Sequence, residues 1–207
     1  MSGPRRGPAH EVRIIGGRWK RSRLVVLDRP GLRPTPNRVR ETLFNWLGHD
    51  LSGWRCLDAF AGSGALGFEA ASRGASEVVL VERDARLAEE LRKAQQRLKA
   101  VEARVEAADA MAWMRRCEAA RFDLVFIDPP FDAGLFVEAL THAVRLVVPE
   151  GFIYLEASEQ CPAGLLDELG LLPHRHARAG NVHSHLLQRP AAVVPAEVVP
   201  AAVADGG

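Results

Sequence analysis

The sequence predicts an open, mostly parallel α/β sheet, and three observations predict it. From Cys56 onward, apolar runs of strand length alternate with segments of helical periodicity. One strand-to-helix junction, Asp58-Ala59-Phe60-Ala61-Gly62-Ser63-Gly64-Ala65-Leu66-Gly67, is rich in glycine. The run Phe122-Asp123-Leu124-Val125-Phe126-Ile127 has the composition of a parallel strand buried on both faces. At 207 residues the chain is long enough for one domain with a substantial core, expected over residues 11–189.

The elements follow in order. Residues 1–10, with Arg5 and Arg6 between prolines and glycines, read as a disordered basic tip. Val12–Ile15 and Leu24–Leu27 read as two short strands joined through Gly16-Gly17. Gly31–Pro36 is a stiff connector, and a helix is expected from about Asn37 to Gly48, with Val39, Leu43 and Leu47 inward and Arg38, Glu41 and Asn45 on a polar stripe. Cys56–Phe60 is a strand that feeds a helix to about Arg73, and Glu77–Glu82 is the next strand. Residues 84–99 form an amphipathic helix capped by Asp84, with Leu87, Leu91 and Leu98 inward. Ala103–Ala108 is a weaker strand, after which Asp109 caps a helix through Met114 and Cys117. Leu135–Val147 is a helix and Gly151–Ala157 a strand. The part from Leu171 to Arg189 is less regular, with Leu186–Arg189 as an edge strand. Residues 190–207, rich in Pro, Ala and Val, read as a disordered tail.

Chemistry concentrates at strand ends. Gly62-x-Gly64-x-x-Gly67 permits a tight turn and close ligand approach, but the pattern also fits a dinucleotide site. Asp58 separates the two: a carboxylate there repels a pyrophosphate and suits the ammonium group of a methionine-bearing ligand. Glu82 ends the next strand, 20 residues after Gly62, where a carboxylate accepts both hydroxyls of a ribose. After Ile127 come Asp128, Pro129, Pro130 and Phe131. Two prolines end ladder pairing and stiffen the backbone. Asp128 and the Pro129 carbonyl then become two fixed acceptors for the two hydrogens of an exocyclic amine, and Phe131 becomes a stacking face for the base.

Net charge is only +1, yet residues 1–40 hold 11 Lys/Arg against Glu11 and Asp28. A basic arm on a mildly acidic body suggests a polyanionic partner. In the first hairpin Arg18, Lys20, Arg21 and Arg23 surround Trp19, a mixture suited to phosphate contact and base stacking, although a packed Trp in a solvated hairpin also explains it. Cys56, Cys117 and Cys161 are isolated, as expected of free thiols in a reducing compartment. Apolar runs stop short of the roughly 18 residues of a membrane helix, so a cytoplasmic protein with no membrane partner is expected. His174, His176, His183 and His185 show no clear ligand geometry, and alternate positions on an edge strand account for His183 and His185; no metal site is expected.

Asp-Pro-Pro-Phe resembles the motif of amino-methyltransferases. Together with Val12–Gly17, Gly31–Leu47 and Cys56–Gly67, it resembles the RsmD-type bacterial enzymes, which methylate N2 of one guanine in 16S ribosomal RNA. The resemblance covers roughly residues 11–189. It implies a Rossmann-like methyltransferase fold, with a seven-stranded sheet, an antiparallel last strand and an N-terminal hairpin and helix. It also implies S-adenosylmethionine as cofactor, the small ribosomal subunit or its assembly intermediate as partner, and a monomer. Carried over residue by residue, the cofactor set is Asp58, Phe60, Ala61, Gly62, Ser63, Gly64, Glu82, Arg83, Asp109 and Ala110, with Thr35, Arg38, Glu41 and Asn45 packing over the pocket. Asp109 then either touches the adenine amino group or caps its helix, and one residue can do both. Asp128, Pro129, Pro130 and Phe131 form the catalytic turn, and guanine N2 attacks the sulfonium methyl directly. Two other readings stand beside this one: a DNA adenine-N6 methyltransferase, and a non-catalytic RNA-binding or assembly protein on the same fold.

Overall fold

Strands rich in Val, Leu, Ile and Phe, buried on both faces, make the centre of the molecule, as parallel strands must be when helices cover both sides. A computed structural model describes residues 10–27, 37–129 and 135–191. In chain order these form β1 (His10–Arg13), β2 (Arg23–Val26), α1 (Asn37–Leu47), β3 (Arg55–Asp58), α2 (Ala65–Ser72) and β4 (Glu77–Glu82). There follow α3 (Ala85–Leu98), β5 (Ala103–Ala107), α4 (Ala110–Arg116), β6 (Phe122–Ile127) and α5 (Phe136–Leu146). The last part is β7 (Val147–Ala157), α6 (Ala163–Leu169), β8 (Leu172–Ala179) and β9 (Val182–Gln188).

Among the described residues the main sheet has seven strands in the order β5-β4-β3-β6-β7-β9-β8. β3 to β7 run parallel, and β9 is antiparallel to both of its neighbours. The order reverses between β3 and β6, which pair directly with Asp58 opposite Phe126. This is the Rossmann-like arrangement, in which ligands bind outside the carboxyl ends of strands at the point of reversal. Alternation splits the core into two layers. Cys56, Leu80, Leu124, Phe126 and Tyr154 lie on the face of α2 and the N-terminal hairpin, and Leu57, Val79, Val125, Ile127 and Leu155 on the other.

The helix starts follow local chemistry. Asp84 accepts from the backbone N–H of Arg86 and Leu87, and Asp109 from that of Ala112 at 2.9 Å, so both predicted caps form. The C-terminal region departs from expectation. Leu171–Arg189 is a regular hairpin, and Leu186 and Leu187 sit in β9, an interior strand between β7 and β8; β8 is the edge. Both leucines are fully buried, one on each face, which an edge strand cannot provide. β7 also begins at Val147 rather than Gly151, directly at the end of α5.

The hairpin β1–β2 forms a separate two-stranded sheet, yet it belongs to the core. Ile14 and Leu24 are buried against Phe44 and Phe68, and Val12 and Val26 against Ala65. Its turn is anchored on α2 by Glu69, which is fully buried and accepts the N–H of Ile15 and of Gly16, each at 2.7 Å. Ser72 Oγ donates to the Gly16 carbonyl at 2.6 Å and accepts from Trp19 N–H at 2.9 Å. Gly17 lies so close that a Cβ would stand 1.8 Å from the Ser72 carbonyl oxygen, at a φ of +69°. The charge on Glu69 is met by Arg73 at 2.9 Å and by the fully buried Arg40 at 3.7 Å. Arg40 also donates to the Arg13 carbonyl and to Asn37 Oδ1, tying α1 to β1. Burial holds the Arg40 guanidinium below the ordinary arginine range, with Glu69 opposing that shift.

Candidate active site

Asp58 is the last residue of β3 and is 2% exposed. Its Oδ2 accepts the N–H of Gly67 in the first turn of α2 at 2.9 Å, so the glycine loop folds back over the strand end. Gly67 must lack a side chain: a Cβ would stand 2.8 Å from Leu80 and 3.1 Å from that carboxylate. Gly64 has a φ of +76°, and a Cβ there would strike Phe68 and Leu91. Burial is the main cause that raises the Asp58 carboxyl to about 7; the Gly67 bond opposes the shift and the Glu82 charge adds to it. This is a buried acid suited to a cation.

Glu82 ends β4, and both its oxygens are anchored: Oε2 accepts Gly62 N–H at 2.9 Å and Oε1 accepts Asp84 N–H at 2.8 Å. The carboxylate is thereby fixed, with lone pairs left for further donors. Ala61 donates to the Val81 carbonyl at 2.9 Å, and Gly64 to Ala61. Phe60 and Ser63 are partly exposed and Arg83 is exposed. Asp109 follows β5 and is exposed, with Ala110 buried behind it. Since Glu82 pairs with Ala107, Asp109 stands at the strand end beside Glu82.

Asp128 follows β6, partly exposed, and Pro129 after it is buried. Pro130 and Phe131, with Thr35, lie outside the described residues. The pairing Ile127 to Leu155 places Asp128 next to Glu156 of β7. Glu156 is 3% exposed and accepts a hydrogen bond from the buried Tyr154 hydroxyl at 2.8 Å; that hydroxyl is also 3.2 Å from Ser184 Oγ. Burial, then the Glu156 charge, pushes the Tyr154 phenol well above its usual range, so it stays a neutral donor; Asp128 adds to the shift. The sequence reading missed Glu156, although Tyr-Leu-Glu-Ala carries the signal that revealed Asp58 and Glu82, a strand ending in an acid.

The result is a row of acids. Across five adjacent parallel strand ends stand Asp109, Glu82, Asp58, Asp128 and Glu156, following the order β5-β4-β3-β6-β7. Alternation puts the last four on one sheet face, since each lies two residues beyond a member of one core layer.

The remaining predicted residues are more dispersed. Arg38, Glu41 and Asn45 are exposed on α1. Glu41 and Asn45 line a cleft with Ile15, Gly16, Gly17, Lys20, His49 and Arg73 rather than with the glycine loop. In the hairpin, Arg18 pairs with Glu102 and lies over the Trp19 ring, 4.1 Å from its centroid. Trp19 itself packs on the core, and Arg23 pairs with Glu11 at 3.0 Å. Lys20 and Arg21 are exposed, and Lys20 shares its cleft with Glu41.

Known proteins resemble this chain along most of its length. The model of the family described as Conserved hypothetical protein 95 matches residues 12–188. Ribosomal RNA small subunit methyltransferase D of Escherichia coli (strain K12) is 41% identical over 196 residues, covering 92% of this chain and 96% of that protein. The Haemophilus influenzae protein of the same name is 41% identical over 157 residues, covering 73% and 81%. A solved Escherichia coli structure, provisionally described as the methyltransferase yhhF, superposes with a TM-score of 0.76 at 39% identity, covering 88% of this chain and 99% of that one. Among the described residues, no helix is long and apolar enough to cross a membrane.

Proposed function

The chain belongs to the family described as Conserved hypothetical protein 95, and from that footing we propose that it transfers a methyl group from S-adenosylmethionine to the exocyclic N2 of one guanine in 16S ribosomal RNA. The reading rests on the order of the acids across the sheet. Read from β5 to β7, they suit an amino-purine, a ribose, an ammonium, an exocyclic amine and a ring N–H, in the order in which the cofactor and a guanine would lie end to end. The names of the relatives support ribosomal RNA as the substrate class.

The residues fit the cofactor. Asp109 would hold the adenine amino group, Glu82 the ribose hydroxyls and Asp58 the methionine ammonium. The glycine loop leaves room for close approach, and a bound ammonium compensates the Asp58 charge that burial otherwise disfavours. The cofactor supplies a methyl group on an electron-poor sulfur. The protein supplies position. Asp128 and the Pro129 carbonyl accept the two hydrogens of the guanine amine, drawing its nitrogen toward tetrahedral geometry and freeing the lone pair for attack. Phe131 stacks on the base. Asp128 or water takes the proton released afterwards. The rate enhancement comes from orientation and preorganised charge, with no covalent enzyme intermediate and no metal in the transfer. The target base must be unpaired or flipped out.

Glu156 favours guanine over adenine. Guanine carries an N–H at ring position 1 beside its amine, whereas adenine has a bare acceptor there. A second buried carboxylate next to Asp128 accepts that N–H and repels the adenine lone pair. Lys20 and Arg21, beside the end of α2 away from the glycine loop, would hold a more distant stretch of the RNA backbone.

Single-turnover methylation of the small-subunit particle, followed by mass analysis of nucleosides, tests the proposal. N2-methylguanosine at one position is expected. N6-methyladenosine as the product, or cofactor binding without transfer, would overturn it.

A further inference from the structure

We propose that His176, His183 and His185 form a three-imidazole site for a divalent transition-metal ion that staples the edge hairpin β8–β9. In sequence, His174-x-His176 and His183-x-His185 look like two equivalent pairs. The structure separates them. A register shift between Pro173 and Arg175 turns His174 away, so that its ring meets Phe152 at 5.4 Å. The same shift sets His176 directly opposite His185. His183 lies two residues before His185 and so on the same face.

The three rings form one stack. His176 is 4.6 Å from His185 and 5.3 Å from His183, centroid to centroid. One ligand nitrogen from each residue falls within 4.8 Å of the others, and His176 Nε2 lies 3.1 Å from His183 Nδ1. A tetrahedral ion bonded at about 2.0–2.1 Å needs its nitrogens roughly 3.3 Å apart. One pair is already near that spacing; the ring planes lie within 26° of one another, so binding requires the imidazoles to turn out of their stack toward the ion. His185 is the buried member, and its Nε2 accepts the N–H of Cys161 at 3.3 Å, a bond that the ion would have to replace. Arg178 stands opposite His183 and acts on it electrostatically, while its Nε–H is held by the Gly180 carbonyl.

Three neutral imidazoles favour Zn2+, Ni2+ or Cu2+ over Mg2+ or Ca2+, with water completing the shell. The ion would cross-link β8 to β9, and β8 joins the sheet only through β9. His185 alternates with Leu186, which lies in the layer of Tyr154, so the imidazoles occupy the sheet face opposite the acid row. The site is therefore separate from methyl transfer.

The test uses the tag-free full chain, stripped with chelator and titrated with Zn2+ by calorimetry and with Co2+ by visible absorption. One ion per chain is expected, with a rise in unfolding temperature on Zn2+ addition and no heat from Mg2+. His176→Gln and His183→Gln, both at accessible positions, should each weaken binding by more than the roughly 10–100-fold cost of losing an outer-shell partner. His142→Gln serves as a control and should change nothing. Absence of stoichiometric binding, or binding that survives both substitutions, would overturn the assignment. Methyl transfer by the zinc-free protein should be unaltered, so this test and that of the activity fail independently.

Discussion

Asp58→Asn should make the ligand-free protein more stable above neutral pH while weakening its hold on the cofactor. Burial raises the Asp58 carboxyl to about 7 in the folded chain, against an ordinary value near 3.9 when unfolded. Between those values the native state keeps a proton that the unfolded chain has released, so stability falls as pH rises through that window. The interval is about three units at about 1.36 kcal/mol each, or roughly 4 kcal/mol by pH 8, with almost no penalty near pH 4. Asparagine is neutral throughout and can still accept the Gly67 N–H through Oδ1. The variant should match wild type near pH 4 and exceed it by up to about 4 kcal/mol at pH 8, on the order of 10 °C in midpoint for a domain of this size. Urea and thermal unfolding of both proteins across that range, without ligand, measures the difference. Saturating S-adenosylmethionine should reverse the ranking, because its ammonium stabilises the carboxylate and gains nothing from the amide. Parallel pH profiles for the two proteins would refute the reasoning.

Asp128→Ala should lower single-turnover methylation by on the order of a hundred-fold or more while leaving cofactor affinity intact, as calorimetry would show. Glu156→Gln puts a donor where the guanine N–H must be accepted, and should lower methylation without affecting cofactor binding. Glu69→Gln leaves the buried Arg40 uncompensated and should cost about 3–5 kcal/mol in urea unfolding. Lys20→Ala with Arg21→Ala should reduce the salt slope of RNA binding by roughly one to two units while cofactor titrations stay unchanged.

What could be read in the sequence was what local spacing encodes. The caps at Asp84 and Asp109 bond residues two or three away, and the glycine loop meets Asp58 nine residues off and Glu82 twenty off, a spacing the strand–helix–strand unit itself sets. The anchor of the hairpin could not be read that way. Glu69 meets Ile15 and Gly16 across more than fifty residues, and a buried Glu within Gly-Phe-Glu-Ala-Ala looks like any helical acid. Arg40 fell between the apolar and polar stripes of α1 because its partners lie on β1 and α2. Of the cations expected to meet RNA, Arg18 and Arg23 also form surface pairs with Glu102 and Glu11, and Trp19 packs partly on the core. Composition shows where cations cluster, not which acids the fold sets beside them. β9 was misjudged as an edge because the register shift in β8 disguises the hairpin.

The short helix α2 starts at the cofactor loop and ends at the residues that grip the hairpin. Eight helical residues span roughly 12 Å without slack. The backbone that suits the cofactor and the backbone that carries Lys20 and Arg21 are therefore mounted on one rod. A hairpin borrowed from a relative would arrive misaligned unless the positions of Gly16, Gly17, Glu69, Ser72 and Arg73 travelled with it. Lengthening the hairpin turn by a residue would move its cations relative to the methyl donor and so misplace the base presented for modification.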